Sequence, residues 1–259
     1  MIRFRLRLLA ATLLLAPVVG PTDSLMAQGW PPDSIKNLQV LPADTEFRAL
    51  IGVMRGFSIG LGVRCTHCHV GEDSRDLASI DFSSDEKVTK RKARVMLQMV
   101  QQINGEILNE LPERSDPAVE VTCATCHRGL PRPTTIEAVL AEQIESGGAE
   151  AVIAEYERLR EEYYGAGVYD FSEGALTSLA EQTAREYPDE TLTVLEHNFI
   201  YFPESVATHI MKAQVFSNMK DDFEAAIESI RAAQELQPDQ PRFQQMIDQM
   251  QAAMENQEE

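Results

Sequence analysis

Apolar residues recur at helical spacing through most of the chain, and two amphipathic segments near its beginning show this pattern most clearly. The first follows Asp44, a candidate N-cap, and the second opens with Ser83 and Glu86, which have the spacing of a capping box. Their apolar faces consist of Phe47, Leu50, Ile51, Met54, Phe57 and Leu61 in the first segment and of Val95, Met96, Met99, Val100, Ile103 and Ile107 in the second. The spacing predicts one helix within residues 44–63 and another within residues 83–111.

The composition changes after the Pro-Arg-Pro sequence at residues 131–133. Cysteine is absent beyond this point, and the segments that follow are rich in Ala, Glu and Gln at helical spacing, with a break at the Ser-Gly-Gly sequence of residues 146–148. We therefore predict a mainly α fold with a domain boundary near residue 135 and a separate helical region at residues 136–259.

Within the C-terminal region, residues 221–239 resemble the second helix of a tetratricopeptide repeat. Ala226, Ala233 and Pro238 occupy the small and terminal positions of that repeat, and Pro203 ends a similar segment about 35 residues earlier, which is close to the repeat length. The resemblance implies tetratricopeptide-like helical hairpins that present a surface to a partner protein. A helical cap that shields the preceding domain is the alternative.

All four cysteines of the chain lie in two copies of one short motif. The first copy, RCTHCHVG, occupies residues 64–71, and the second, TCATCHRG, occupies residues 122–129. The cysteines and the histidine that follows each pair are Cys65, Cys68 and His69 in the first copy and Cys123, Cys126 and His127 in the second. Both copies therefore have the form CxxCH.

This motif has a specific chemical meaning. The two thiols can bond covalently to the vinyl groups of a haem, and the adjacent histidine can ligate the iron. A bare CxxC pair could instead hold zinc or form a disulfide, but two CxxCH copies that use every cysteine favour haem. The sequence therefore predicts two covalently attached haem c groups.

The first 27 residues have the pattern of an export signal. Three arginines precede a thirteen-residue apolar run at residues 8–20, and Leu25 and Ala27 suit cleavage by a signal peptidase. The run is too short to span a bilayer comfortably. We predict a periplasmic protein whose mature chain begins near Gln28 and has no transmembrane span, either soluble or held peripherally on the outer face of the inner membrane.

The chain contains 23 basic and 41 acidic residues, which gives a formal net charge of −18. This charge argues against nucleic acid and anionic lipid as partners and favours a basic redox protein. A local exception is a basic cluster in the second predicted helix, formed by Lys87, Lys90, Arg91, Lys92 and Arg94. We expect a solvated face there, with pairing to haem propionates or docking of an acidic partner as the alternative.

The order of these features resembles the cytochrome c subunit of photosynthetic reaction centres. The resemblance covers roughly residues 35–133: a helix with a methionine, a CxxCH motif, a helix with MxxM and IN sequences, and VTCATCHRG followed by proline. It implies an electron carrier in which Met54 is the axial ligand opposite His69. It also implies that Met96, the earlier methionine of the MxxM pair, is the axial ligand opposite His127.

The chain also departs from that family. The full subunit carries four haems, whereas this sequence has two motifs, and Glu110 stands where the family has a histidine that serves a distant haem. We predict a dihaem electron carrier in residues 28–135 that is not an enzyme. Its partners would be a basic soluble donor and a membrane complex, such as a reaction centre whose photo-oxidised pigment pair it re-reduces. The alternatives are respiratory electron transfer and, less favoured, a dihaem peroxidase.

Overall fold

The computed structural model describes residues 34–258, so the export signal predicted at residues 1–27 lies outside the described residues. This part of the chain is mainly helical, as predicted, and its β pairing is limited to one isolated antiparallel bridge between Val70 and Asp81. The α-helices are α1 (Phe47–Leu61), α2 (Val88–Gly105), α3 (Cys123–His127), α4 (Ile136–Tyr163), α5 (Gly174–Thr183), α6 (Pro188–Asn198), α7 (Val206–Met219), α8 (Phe223–Leu236) and α9 (Pro241–Glu258). Short 3-10 turns occupy Cys65–His67, Leu77–Ser79 and Ile107–Glu110.

Helix α1 begins three residues after the predicted N-cap. The N–H and the hydroxyl of Thr45 both donate to the carbonyl oxygen of Pro42, at 3.1 and 2.6 Å. Asp44 is therefore part of a preceding turn, and the first helical residue is Phe47. The apolar side chains of α1 lie on one face as predicted, but all of them stay partly exposed.

Helix α2 begins later than the capping-box spacing predicted. The carboxylate of Asp81 accepts hydrogen bonds from the N–H and the hydroxyl of Ser83 and from the N–H of Ser84, at 2.7 to 3.0 Å. Because Ser83 is engaged with Asp81, it does not cap the helix, and the first helical residue is Val88. The predicted capping box at Ser83 and Glu86 is therefore wrong.

The end of α1 and the second CxxCH motif approach each other so closely that one position requires glycine and another leaves little room for a side chain. Gly62 has a left-handed backbone (φ 64°), and a β-carbon there would lie 2.0 Å from the carbonyl oxygen of Gly129. A β-carbon at Gly60 would lie 3.0 Å from the backbone nitrogen of Ala124. The N–H of Gly129 donates to the carbonyl oxygen of Gly60 at 2.9 Å. Helix α1, which leads into the first motif, thus packs directly on α3, which contains the second.

The two ends of the described chain differ in how they bury apolar side chains. Between residues 34 and 135 only two apolar side chains are buried, Ile80 and Leu130. Helices α4 to α9 bury many more, in clusters centred on Tyr156 of α4, on Leu195 of α6 and on Phe243 of α9. The C-terminal region therefore has a hydrophobic core made by its own side chains, and the N-terminal region has very little of one.

The helices of the C-terminal region pack mainly on their neighbours in sequence. Helix α4 is kinked at Gly148 (φ 65°), within the Ser-Gly-Gly sequence where a break was predicted, and it contacts α5 and α6. Helix α8 lies between α7 and α9. Ala226 and Ala233 of α8 are completely buried, as small residues at a helix contact must be. The tetratricopeptide-like character of this region stays a prediction, because neighbouring helices pack in this way in other helical folds as well.

The contact between α1 and α3 predicts a large effect of Gly62→Ala. The substitution places a β-carbon against the Gly129 carbonyl and in an unfavourable backbone conformation, so we expect a loss of about 2–4 kcal/mol in the free energy of unfolding. Gly52→Ala is the matched control, because a β-carbon there meets nothing within 4 Å in the same helix, and it should stabilise the protein by about 0.5–1 kcal/mol. Chemical unfolding followed by circular dichroism measures both. Equal stabilities for the two variants would contradict the described contact.

Candidate functional site

The first CxxCH motif follows α1 after the Gly62 turn. Cys65 and His67 form a 3-10 turn, and the N–H of His69 donates to the carbonyl oxygen of Cys65 at 3.0 Å, which folds the motif compactly. Both of its cysteines are half-buried free thiols, and burial raises the pKa of Cys68. The compact turn brings the two thiols and the histidine of the motif into one short segment.

His69 is held in the neutral form that a metal ligand requires. Burial and, next, the nearby charge of Lys90 lower the pKa of His69 to about 4, so the ring carries no charge at neutral pH. Its Nδ1 atom is buried and has no hydrogen-bond partner in the described part of the chain. The ring also packs edge-on against Phe82, with centroids 4.9 Å apart. A buried, neutral imidazole with an orphaned nitrogen fits a residue that ligates a metal or cofactor.

The second motif forms the short helix α3. Its N-terminus is closed by a 2.9 Å hydrogen bond from the N–H of Thr122 to the hydroxyl oxygen of Thr125. The Nδ1 atom of His127 lies 2.8 Å from the carbonyl oxygen of Leu130. Because a carbonyl oxygen can only accept, Nδ1 is the donor of this hydrogen bond, and Nε2 is the ring nitrogen left to face a metal. This is the arrangement by which proteins orient a histidine toward a metal.

The candidate axial methionines lie on the two long helices of the N-terminal region. Met54 is half-buried on α1, while Met96 and Met99 on α2 are each 43% exposed. Their equal exposure does not distinguish Met96 from Met99. Val95, which adjoins them on α2, is 58% exposed. These apolar side chains, with two thiol pairs and two imidazoles, are the groups that suit a large, flat, apolar, iron-containing cofactor.

Only part of the basic cluster forms the solvated face that we predicted, because Lys90 and Arg94 turn inward. The ammonium group of Lys90 donates to the carbonyl oxygens of Phe82 and Ser84, at 2.9 and 2.8 Å, and its side chain is only 11% exposed. Arg94 donates to the carboxylate of Asp85 at 2.8 Å and is 17% exposed. These side chains satisfy the polar groups of the loop between the first motif and α2. Their first role is therefore to hold that loop.

Asp85 is the centre of this network. Besides Arg94 and Lys90, its carboxylate accepts hydrogen bonds from the side-chain amides of Asn37 and Gln39, at 2.9 and 3.0 Å. The hydrogen bonds from Arg94 and Asn37 hold the pKa of Asp85 far below its ordinary value of 3.8. The segment that precedes α1 is thereby joined to α2.

With this geometry in hand, comparison with known proteins is informative. The sequence profile described as photosynthetic reaction centre cytochrome C subunit matches residues 31–162, slightly more than half of the chain. The chain belongs to this family. The resemblance noted from the motifs is therefore confirmed, and membership in this cytochrome c family implies covalently bound haem c. The match continues through most of α4, beyond the boundary that we predicted near residue 135.

A curated relative supports the same class. Cytochrome c-554 of Chloroflexus aurantiacus is 31% identical over 134 residues, which is 45% of this chain and 30% of that protein. The chain thus spans less than a third of the relative's length. No solved structure matches the chain. Among residues 34–258, the structure contains no helix that is both long and apolar enough to cross a membrane.

The Asp85 network predicts a stability that depends on acid pH. Because folding lowers the pKa of this carboxyl, its contribution is complete above about pH 4 and decreases as the pH falls from the ordinary value of 3.8 toward the folded one. Asp85→Asn should therefore lower the thermal midpoint at pH 7, and the gap to the wild type should narrow at pH 3. Asp73→Asn, which removes only an exposed pair with Arg75, is the control and should change the midpoint little at either pH. A gap that stays constant with pH would contradict this role.

Proposed function

We propose that this protein is an exported dihaem c-type cytochrome that carries electrons between partner proteins and has no substrate of its own. In this proposal Cys65 and Cys68 bind the first haem, with His69 and Met54 as its axial ligands. Cys123 and Cys126 bind the second haem, with His127 and Met96 as its axial ligands. The observation that carries the proposal is the packing of α1, which leads into the first CxxCH motif, directly on α3, which contains the second.

Different residues around each motif would attach, orient and ligate the redox cofactor. Haem c supplies one-electron oxidation and reduction of its iron when it is bound. The cysteines attach it irreversibly, and the carbonyl oxygen of Leu130 keeps the His127 ring oriented with Nε2 free. A methionine opposite histidine favours the reduced iron and so raises its potential. The proximity of the two motifs is suited to transfer of electrons between the two haems.

The partners follow from charge and from the family. A chain with a net charge of −18 favours a basic soluble donor that approaches by long-range attraction. Family membership favours a membrane electron-transfer complex as the acceptor, such as a reaction centre whose photo-oxidised pigments the protein re-reduces. Respiratory electron transfer is the alternative, because the chain has two CxxCH motifs and Glu110 in place of a family histidine. The region from residue 136 onward would hold the protein in its assembly at the periplasmic side of the membrane.

The first prediction from this proposal concerns the number of haems. The mature protein should contain two haems that remain attached after acid extraction, because four thioether bonds hold them. Replacing both Cys65 and Cys68 by alanine should remove one haem and leave the other, and the same change at Cys123 and Cys126 should do the reverse. The pyridine haemochrome spectrum, normalised to protein, measures the ratio. A wild-type ratio of one haem per chain would contradict the dihaem proposal.

The second prediction concerns the axial ligands. Met54→Ala should abolish the weak red absorption band of iron–sulfur ligation for the first haem and lower its midpoint potential. Met96→Ala should do this for the second haem, whereas the matched variant Met99→Ala should leave both haems unchanged. Loss of the band in Met99→Ala alone would show that the later methionine is the ligand. A wild-type protein in which one haem lacks methionine ligation and binds peroxide would favour the peroxidase alternative.

A further inference from the structure

Helix α2 contacts the first haem-attachment motif near one of its ends and the residue that directly precedes the second motif near the other. In its first turn, the hydroxyl of Thr89 donates to the carbonyl oxygen of His67, inside the first motif, at 2.5 Å. Near its last turn, the side chain of Asn104 makes two hydrogen bonds with the backbone of Val121, two residues before Cys123. Its amide nitrogen donates to the Val121 carbonyl oxygen and its amide oxygen accepts from the Val121 N–H, both at 2.8 Å.

The two contacts are specific to the chemistry of these side chains. Asn104 uses a donor and an acceptor together, as a neighbouring β-strand would, and an aspartate could supply only the acceptor. Thr89 also lies beside the thiol of Cys68, so its hydroxyl touches two consecutive residues of the first motif. All of these groups are partly buried, where a hydrogen bond fixes position better than it does in open solvent. The motifs are thus tied to α2 by side chain–backbone bonds.

The helix between these contacts acts as a rigid spacer. Thr89 and Asn104 are separated by fifteen residues, which corresponds to about 22 Å along a helix. Around the helix axis they lie about 60° apart, so both project from one side. Met96 lies about 50° from the middle of that side, whereas Met99 lies about 110° from it. The side of α2 that is bonded to the motifs is therefore the side that carries Met96.

We propose that Thr89 and Asn104 are positioning residues, each of which fixes one haem-attachment motif against α2. Asn104 sets the distance between the second motif and Met96, so it controls the iron–methionine bond of the second haem. Thr89 orients the His67 peptide and the Cys68 side chain, and so controls the first haem. This inference rests on the proposed function, because it takes the haems to be attached at these motifs. It extends that proposal from the ligands to the residues that place them.

The experiment uses the full-length protein with its haems and compares Asn104→Asp, Asn104→Leu and Thr89→Val. We expect both Asn104 variants to shift the midpoint potential of the second haem and weaken its share of the iron–sulfur band, with the first haem unchanged. Thr89→Val should shift the potential of the first haem alone. In the Met54→Ala variant only the second haem should contribute to the iron–sulfur band. Introducing each change into that variant therefore shows its effect on the second haem alone. If the leucine variant does not fold, the nearly isosteric aspartate variant still decides the question.

Gln102→Leu is the matched control, because Gln102 is on the same helix but bonds only to Glu106, at 3.1 Å, on an exposed surface. It should leave both potentials and the band unchanged. The inference is overturned if the Asn104 variants leave both potentials and the band at wild-type values, or if each variant disturbs both haems equally. The pyridine haemochrome ratio distinguishes failure of the positioning role from failure of the proposed function. Two haems with unchanged potentials refute only the positioning role, whereas fewer than two haems in the wild type refute the dihaem proposal.

Discussion

The approach of two backbones at Gly60, Gly62 and Gly129 is the constraint on which the N-terminal region depends. A side chain at residue 62 would occupy the position of the Gly129 carbonyl oxygen, so the contact exists only because residue 62 has no β-carbon. The contact is reinforced by the hydrogen bond from Gly129 to Gly60. It brings the end of α1, which leads into one CxxCH motif, against the helix formed by the other. The two motifs, 58 residues apart in sequence as measured from Cys65 to Cys123, therefore become neighbours.

In the N-terminal region, hydrogen bonds from polar side chains hold together segments that a hydrophobic core holds together in the C-terminal region. Residues 34–135 bury only two apolar side chains, whereas the helices that follow pack around clusters of buried apolar side chains. In the N-terminal region, Lys90 and Arg94 bond to polar groups of the loop before α2. Thr89 bonds to the first motif, and Asn104 bonds to the residue just before the second motif. A c-type cytochrome binds its haem covalently, and the haem contributes apolar surface to the fold. Hydrogen bonds therefore stabilise this region while the apolar faces of α1 and α2 stay partly exposed. Those exposed faces are consistent with a haem that packs against them.

Helix α4 lies where the two predicted regions meet. Thr135 caps α4, as expected for a new segment, and α4 packs into the core of the C-terminal helices. The family match nevertheless continues through most of α4. Helix α4 thus belongs by sequence to the cytochrome and by packing to the helical region. The domain boundary near residue 135 therefore stays a prediction.

The sequence by itself determined the chemistry that we propose for this protein, because covalent haem attachment needs thiols and a histidine at a fixed short spacing that can be read directly from the sequence. It also determined the existence of α1 and α2, since helical periodicity is a local property. Only the tertiary structure decided where α2 begins, because Ser83 bonds to Asp81 and not to the helix end. It likewise decided that Lys90 and Arg94 turn inward, that Gly60 and Gly62 are contact positions, and that Thr89 and Asn104 reach the motifs. Those facts depend on contacts between residues far apart in sequence, and no local pattern records which distant backbone group a side chain will meet.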